Sequence, residues 1–345
     1  MVRAPASVVS RPPSQDDALA CRRELYDLAT QYRASAIFLA SLELNLYNHI
    51  PPEGIDAERL AQEVGCEAHP LGLLLEALLA IGVLSDGRGK YRLTSDFAEL
   101  LVRGSGSFAD FLLLQRTHLR SWSDLAQLVR GTPSEAPREG DILGSPELVA
   151  HYLDLIGANN RPIHQAVASH LAPVLREAER ALDLGGGDGQ FAKLLTDQYP
   201  SLRVWVVDLE AAIEFGRSKL GTAERIELVA GDARMLELDF ELDVATLNDI
   251  LHYFSRDEKR QVIARAFHSL RPGGTIAVCE YRLDGDQTGR AGSALFSFRM
   301  FADTHTGYVG TGEETRDLLI EAGAEDVSET PVTGHKVLFV GRRRV

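Results

Sequence analysis

The sequence predicts a two-part protein, an all-helical N-terminal half carrying a winged helix followed by an α/β half built on a doubly wound parallel sheet. Residues from about 20 to 175 carry apolar side chains at helical spacing with few β-branched runs. Residues from about 180 to 343 alternate short β-rich runs with amphipathic segments, the pattern of a parallel sheet flanked by helices. A glycine-rich turn, residues 185–189, follows the first of those runs directly. The 345 residues suffice for two cores at roughly 100–200 residues per domain. The expected organisation is a disordered tail over 1–20, a winged-helix domain over 21–103, a helical region over 104–178 and the α/β domain over 179–345.

In the first half, ASAIFLASLELNLYNHI reads as a helix stopped by Pro51-Pro52. DAERLAQEVGC is a short amphipathic helix with Asp56 as N-cap and Gly65 at its end, and PLGLLLEALLAIG is a third helix. VLSDGRGKYRLT is a hairpin around Asp86-Gly87. Three helices and a hairpin describe a winged helix, which serves either DNA binding or packing and dimerisation. Between Pro70 and Val83 there is no Lys or Arg, so the third helix has no cation for a phosphate or a guanine. The segments SFADFLLLQRTHLRSWSDLAQLVRG and SPELVAHYLDLIGANNRPIHQAVASHLAPVLREAER continue the helical texture across a GTPSEAPREGD loop. They contribute Arg116, His118, Arg120, Trp122, Asn159, Asn160 and His164, polar and aromatic groups that either line a pocket or are solvated.

Composition narrows the classes further. With 36 Lys+Arg against 50 Asp+Glu, the net charge of −14 argues against nucleic acid as the main ligand. The apolar stretches are interrupted by Glu43 and Glu76 and none approaches a membrane span of about 18 residues. The N-terminus has Pro12-Pro13 and no apolar core, so no secretory signal is read there. Cys21, Cys66 and Cys279 form no CxxC pair, which fits a reducing cytoplasm and excludes a cysteine-built zinc site.

The sharpest signal is ALDLGGGDGQFAKLL, where the strand Ala181–Leu184 runs into Gly185-Gly186-Gly187-Asp188-Gly189 and Phe191 opens a helix. Glycines are needed where backbone turns tightly against a ligand. The dinucleotide fingerprint G-x-G-x-x-G fails at Gln190, which disfavours a nicotinamide-dependent oxidoreductase. An acid, Asp183, lies inside the strand before the turn. The second strand, LRVWVVDLE, ends in Asp208, 25 residues after Asp183 and placed to accept hydrogen bonds from ribose hydroxyls. The third, RIELVAGDARM, ends in Gly231-Asp232, positioned to meet an adenine ring. LDVATLNDILHYF is a fourth strand breaking at Asn248-Asp249, and HSLRPGGTIAVCEYRL supplies a turn and a fifth strand ending near Glu280.

These features in this order resemble the class I S-adenosylmethionine (SAM)-dependent methyltransferases. With the helical first half they resemble the small-molecule O-methyltransferase family typified by the plant caffeic acid enzyme and its bacterial polyketide and phenazine relatives, over about residues 22–343. The resemblance implies a Rossmann-like SAM-binding sheet and a homodimer formed through the winged-helix domain. It implies that Asp183, Gly185 and Gly187 meet the methionine part, Asp208 the ribose, Asp232, Ala233 and Met235 the adenine, with Asn248 also on the cofactor side. It further implies a cytoplasmic enzyme of secondary or antibiotic metabolism acting on a small molecule.

The family's base is a His in an LHDW stretch, oriented by two glutamates. Here Leu251-His252-Tyr253-Phe254 keeps the His, and Glu280, 28 residues on, matches the first glutamate, while Val309 stands where the second belongs. That segment offers Asp303 and His305 instead. His252, Glu280 and His305 would make a two-histidine, one-carboxylate set for Fe or Zn, similar to that of the α-keto acid C-methyltransferases on the same fold. The favoured expectation is metal-assisted methylation of the β-carbon of an α-keto acid, with Arg116 and Arg120 as partners for its carboxylate. The alternative is metal-free O-methylation of a phenolic or polyketide hydroxyl with His252 as general base.

Overall fold

The structure is a computed structural model that describes residues 15–87, 89–103, 108–123, 125–131, 146–235, 237, 241–284, 287–333 and 335–345. Its internal contacts divide the chain into two units, Met1–Arg120 and Ser121–Val345. No helix among the described residues is long and apolar enough to cross a membrane.

The first unit is helical with one small hairpin. Its elements are α1 (Gln15–Thr30), α2 (Tyr32–Glu43), α3 (Ala57–Val64), α4 (Ala68–Ala80), β1 (Leu84–Asp86), β2 (Tyr91–Leu93), α5 (Ser95–Leu101) and the start of α6 (Phe108–Ser123). The expected tail is shorter than the sequence suggested, because residues 15–20 are already helical; residues 1–14 lie outside the described residues. The helix expected to run to Pro51-Pro52 ends at Glu43, the chain reverses at Asn45 with φ 54°, and a 3-10 turn, Leu46–His49, follows. Helix α3 is closed at both ends as its sequence dictates: Asp56 accepts from the Arg59 N–H and Gly65 takes φ 69°. Helices α2, α3 and α4 and the β1–β2 hairpin pack around Leu42, Leu46, Leu60, Leu75 and Leu78, all essentially buried. Full burial of each such side chain contributes roughly 1.5–3 kcal/mol.

The second unit contains α7 (Leu125–Val129), the long α8 (Pro146–Leu175), β3 (Arg180–Leu184), α9 (Gln190–Gln198), β4 (Arg203–Asp208), α10 (Glu210–Leu220) and β5 (Ile226–Ala230). It continues with β6 (Leu242–Asn248), α11 (Arg256–His268), β7 (Leu270–Tyr281), α12 (Gln287–Thr304), α13 (Gly312–Glu321), β8 (Glu325–Pro331) and β9 (Lys336–Arg342). Strands β3 to β9 form a seven-stranded sheet in the order β5-β4-β3-β6-β7-β9-β8. The five expected strands pair in parallel, and β9 runs antiparallel to both β7 and β8. Apolar cores cover both faces, one around Leu184, Leu247, Val262 and Val278, the other around Val167, Leu171, Phe191 and Val206.

The order of the strands decides where a ligand can sit. From β3 the chain winds outward through β4 to β5, then returns to β6 on the other side of β3. Crossovers therefore diverge between β3 and β6, and the carboxyl ends of these two strands open the crevice where such sheets bind ligands. The glycine turn leaves β3 and the Asp249–His252 segment leaves β6, so topology alone brings the two sequence signals together.

Candidate active site

At the β3 end, the turn is shaped by backbone conformations that side chains resist. Gly185 and Gly187 adopt φ 75° and 57°, and a Cβ on Gly185 would run into Ile250. The turn is tied to β4 twice: Gly185 N–H donates to the Val207 carbonyl at 2.8 Å, and Gly187 N–H donates to Asp208 Oδ2 at 2.7 Å. Asp208 Oδ1 accepts from the Leu209 N–H at 2.7 Å, and burial holds this carboxyl above its usual range against those two donors. Asp183 stands opposite Thr246 in the β3–β6 register; its Oδ1 accepts from Thr246 Oγ1 at 3.0 Å and from Asn248 Nδ2 at 3.4 Å. Its Oδ2 is buried and has no partner among the described residues. Burial, with Asp208 and Asp188 nearby, pushes the Asp183 carboxyl up to about 7 despite the two donors. A buried, unmatched acid beneath a glycine turn suits a cationic ligand.

Asp232 follows β5, as expected, but is already engaged. Arg234 donates from Nε to both carboxylate oxygens at 3.0 Å and from its backbone N–H at 2.8 Å, and the same guanidinium reaches Glu258 at 2.8 Å. This pairing holds Asp232 below the usual carboxylate range. Ala233 is buried beside it and Met235 is exposed.

At the β6 end, His252 sits in the 3-10 turn Leu251–Tyr253 and is 4% exposed. Its Nδ1 lies 2.8 Å from Glu280 Oε1. An ionised carboxylate can only accept, so Nδ1 donates to Glu280 and Nε2 is the ring nitrogen left for another partner. Burial would raise Glu280, but His252, the Tyr281 N–H and Lys336 outweigh it and hold Glu280 below its usual range. Both Glu280 oxygens are saturated: Oε1 also accepts from Tyr281 N–H at 2.8 Å, and Oε2 accepts from the N–H groups of Leu251 at 2.9 Å and His252 at 3.3 Å. The imidazole is wedged among Tyr253, Phe296 and Tyr281, with ring centroids 4.6, 4.9 and 5.9 Å away.

The structure corrects the expected metal set. The ligand-type side chains brought together among the described residues are Asp249, His252 and Glu280, with donor atoms within 4.8 Å of one another, and His305 is not one of them. His305 ends α12 instead, taking φ 67° while its N–H donates to the Phe301 carbonyl. Nor does the donor set suit Fe or Zn. Glu280 has four N–H donors on two oxygens, and Asp249 Oδ2 already holds the Lys336 ammonium at 2.5 Å, which supplies the charge a metal would bring. Asp303 is buried against Arg299 at 3.1 Å.

Of the candidate substrate arginines, Arg116 is paired with Glu43 inside the first unit, and the side chain of Arg120 lies outside the described residues. Helix α8 places other candidates at the site. Asn160 donates to Asp249 Oδ2 at 3.0 Å, and the His164 ring lies 5.0 Å from Phe191. Tyr152 and Tyr253 join their hydroxyls at 2.8 Å, a bond that pairing from sequence did not anticipate. Asp249 and Lys336 were missed too; the available signal was a lone lysine opening the apolar run KVLFV.

Residues 142–325, more than half of the chain, match the family model described as the O-methyltransferase domain. The chain belongs to the O-methyltransferase-domain family. Among its relatives, the tetracenomycin polyketide synthesis 8-O-methyl transferase TcmO of Streptomyces glaucescens is 29% identical over 93% of this chain and 96% of its own. The 3-hydroxy-5-methyl-1-naphthoate 3-O-methyltransferase of Streptomyces sahachiroi is also 29% identical, over 88% and 89%. The crystal structure of human N-acetylserotonin methyltransferase in complex with SAM superposes with a TM-score of 0.75 at 25% identity, covering 97% of this chain and all of that one. This member of the family is a SAM-dependent methyltransferase. The comparisons give no support to C-methylation or to Fe or Zn, and the alternative expectation of O-methylation fits them better.

Were SAM seated at the glycine turn, as the sequence leads one to expect, Asp183 would give its binding a pH signature. Its folded-state value near 7 lies above the unfolded value of about 3.9, so the free protein loses stability as pH rises through 7 and that carboxyl ionises. SAM carries a sulfonium and an ammonium, and a cation in the turn favours the carboxylate. SAM affinity is therefore expected to tighten from pH 6 to 8, with proton release below pH 7 seen by calorimetry in buffers of different ionisation enthalpy. In Asp183→Asn the proton release disappears.

Proposed function

We propose that this enzyme transfers the methyl group of SAM to a hydroxyl on an aromatic, polyketide-like small molecule, with His252 as general base. The observation that carries the reading is a buried imidazole whose Nδ1 is held by Glu280 at 2.8 Å, which leaves Nε2 for the acceptor. Within the same unit lies a cavity of about 400 Å³ lined by Leu283, Phe298, Phe301 and Tyr308, apolar and aromatic surfaces that suit a planar acceptor. Its wall includes Gly307, whose backbone abuts the His252 carbonyl so closely that a Cβ would collide with it. The relatives named for a polyketide and a naphthoate support an aromatic acceptor.

When bound, SAM supplies an electrophilic methyl group. With SAM bound, His252 Nε2 would take the acceptor's hydroxyl proton as the acceptor oxygen displaces S-adenosylhomocysteine from the methyl carbon, the S–C bond breaking as the O–C bond forms, and Glu280 would stabilise the imidazolium through Nδ1. Asp183, Asp208 and the glycine turn hold the cofactor, and the rings of Tyr253, Phe296 and Tyr281 keep the imidazole from rotating. The test is to incubate purified protein and SAM with naphthols, hydroxylated polycyclic quinones and α-keto acids, with and without chelator. The expected result is S-adenosylhomocysteine from hydroxylated aromatics only, at a rate that the chelator leaves unchanged. Turnover confined to keto acids and abolished by chelator would refute the reading.

We further infer that the protein is a homodimer that pairs through its first unit. Over residues 19–29 helix α1 is exposed although it carries Leu19, Leu25, Tyr26 and Leu28, each at least 60% exposed. Light scattering is expected to give about twice the 37.8 kDa chain mass and to fall to the monomer value when these side chains are replaced by glutamates.

A further inference from the structure

The ion pair of the buried Lys336 and the partly buried Asp249 takes no part in the chemistry described above. Lys336 opens β9 and is 1% exposed. Its Nζ donates to Asp249 Oδ2 at 2.5 Å and to Asn160 Oδ1 at 3.4 Å, while Asn160 Nδ2 donates to that same Asp249 oxygen at 3.0 Å. The ammonium also stands 4.5 Å from the Tyr281 ring centroid. Strand β9, helix α8 and the segment leaving β6 thus converge on one carboxylate. Asp249 has φ 55°, a conformation that strains a non-glycine residue and persists only where its surroundings demand it. Its Oδ1 is buried without a partner among the described residues, and a carboxylate oxygen of Asp249 lies within 4.8 Å of a His252 ring nitrogen and a Glu280 oxygen. An ion pair taken largely out of water is a weak source of stability, so this construction calls for another explanation.

We infer that Asp249 is a positioning residue for His252, a second carboxylate that offsets the positive charge the ring gains on taking the acceptor's proton, with Lys336 and Asn160 holding it in place. This rests on the reading of the site as an O-methyltransferase with His252 as base. With a neutral ring, Glu280, Asp249 and Lys336 carry one net negative charge; with the imidazolium the buried group is neutral. Without Asp249 the same step would leave a net positive charge in a low-dielectric site. The other ionisable groups facing the cluster do not alter that count. Burial keeps Cys279 and Tyr281 of β7 as thiol and phenol, and Tyr253 and Tyr152 share a hydroxyl hydrogen bond. His164 of α8 is pushed down to about 4 by burial and by Lys336, so it is neutral. Lys259 of α11 is met by Glu314 at 3.7 Å.

The experiment compares two acceptors on the full-length protein: 2-naphthol, whose hydroxyl must lose its proton in the site, and a nitronaphthol already ionised in the assay buffer. Asp249→Asn is expected to lower kcat roughly 30-fold for 2-naphthol, a part of the 10²–10⁴ that a general base contributes, and less than about threefold for the nitronaphthol, with the dissociation constant of SAM unchanged. Equal losses on both acceptors, or no loss on either, would overturn the inference. Lys336→Met, which leaves a lone buried carboxyl that takes up a proton, is expected to show the same acceptor-selective loss and serves if Asp249→Asn does not fold; equal losses there count against the inference in the same way. Wild-type protein that methylates neither acceptor would remove the O-methylation reading itself, and the inference with it.

Discussion

His252→Ala is expected to lower kcat by about 10²–10⁴-fold while leaving SAM affinity within about twofold, because a neutral phenol attacks a methyl group poorly without a base to take its proton. The loss is specific to chemistry. Among the described residues the His252 side chain bonds to Glu280 and packs on Tyr253, Tyr281 and Phe296, with no hydrogen bond to the glycine turn, so the change is expected to leave the turn intact. Removing the ring deprives Glu280 of one donor, but the N–H groups of Leu251, Tyr281 and residue 252 itself still satisfy its oxygens. The folded state therefore tolerates the change better than it would tolerate an orphaned carboxylate. His252→Gln is the companion variant: glutamine can still donate toward Glu280 but cannot accept a proton, so it is expected to recover stability without recovering rate. Steady-state kinetics, calorimetry with SAM and thermal melts together separate these effects.

Asp208→Ala is expected to weaken SAM binding by about 10²-fold or more and to restore much of the wild-type rate at saturating cofactor. Two consequences add. On the proposed placement of SAM the acid closing β4 would be lost as an acceptor for ribose hydroxyls, and hydrogen bonds to charged groups contribute about 1.5–3 kcal/mol each. The Gly187 N–H also loses its partner at 2.7 Å, which frees the turn from one of its two ties to β4. Asp208→Asn keeps an acceptor of the same shape and is expected to fall between the two. Calorimetric titration reads the affinity directly, and an unchanged dissociation constant in the alanine variant would remove Asp208 from the cofactor site.

Much of this site was readable from the chain because its parts are local. A strand, a glycine turn and a helix start form one continuous segment, and acids at the ends of β4 and β5 follow at the spacing a βα unit sets. The His252–Glu280 pair came from the family resemblance, and the structure joins it because β6 and β7 are neighbouring parallel strands that end at the same edge of the sheet. The Asp249–Lys336 pair was not, because the two residues lie 87 positions apart and meet only when β9 inserts antiparallel beside β7. Strand β8 escaped notice as well: EDVSETP is a polar edge strand without the apolar alternation that announces a strand. The metal set failed for a related reason. Two histidines and an acid far apart in sequence carry no spacing rule, and the residue the fold delivers beside His252 and Glu280 is Asp249, with a lysine already on it.

The most direct test of methyl transfer to oxygen with His252 as base is to supply SAM labelled with carbon-13 at its methyl group, together with a hydroxylated aromatic acceptor, and to read the product by carbon NMR. The label is expected at the chemical shift of a methoxyl carbon, with no labelled product from His252→Ala in the same time. A label appearing in a methyl group bonded to carbon, or an undiminished yield from the variant, would contradict the account.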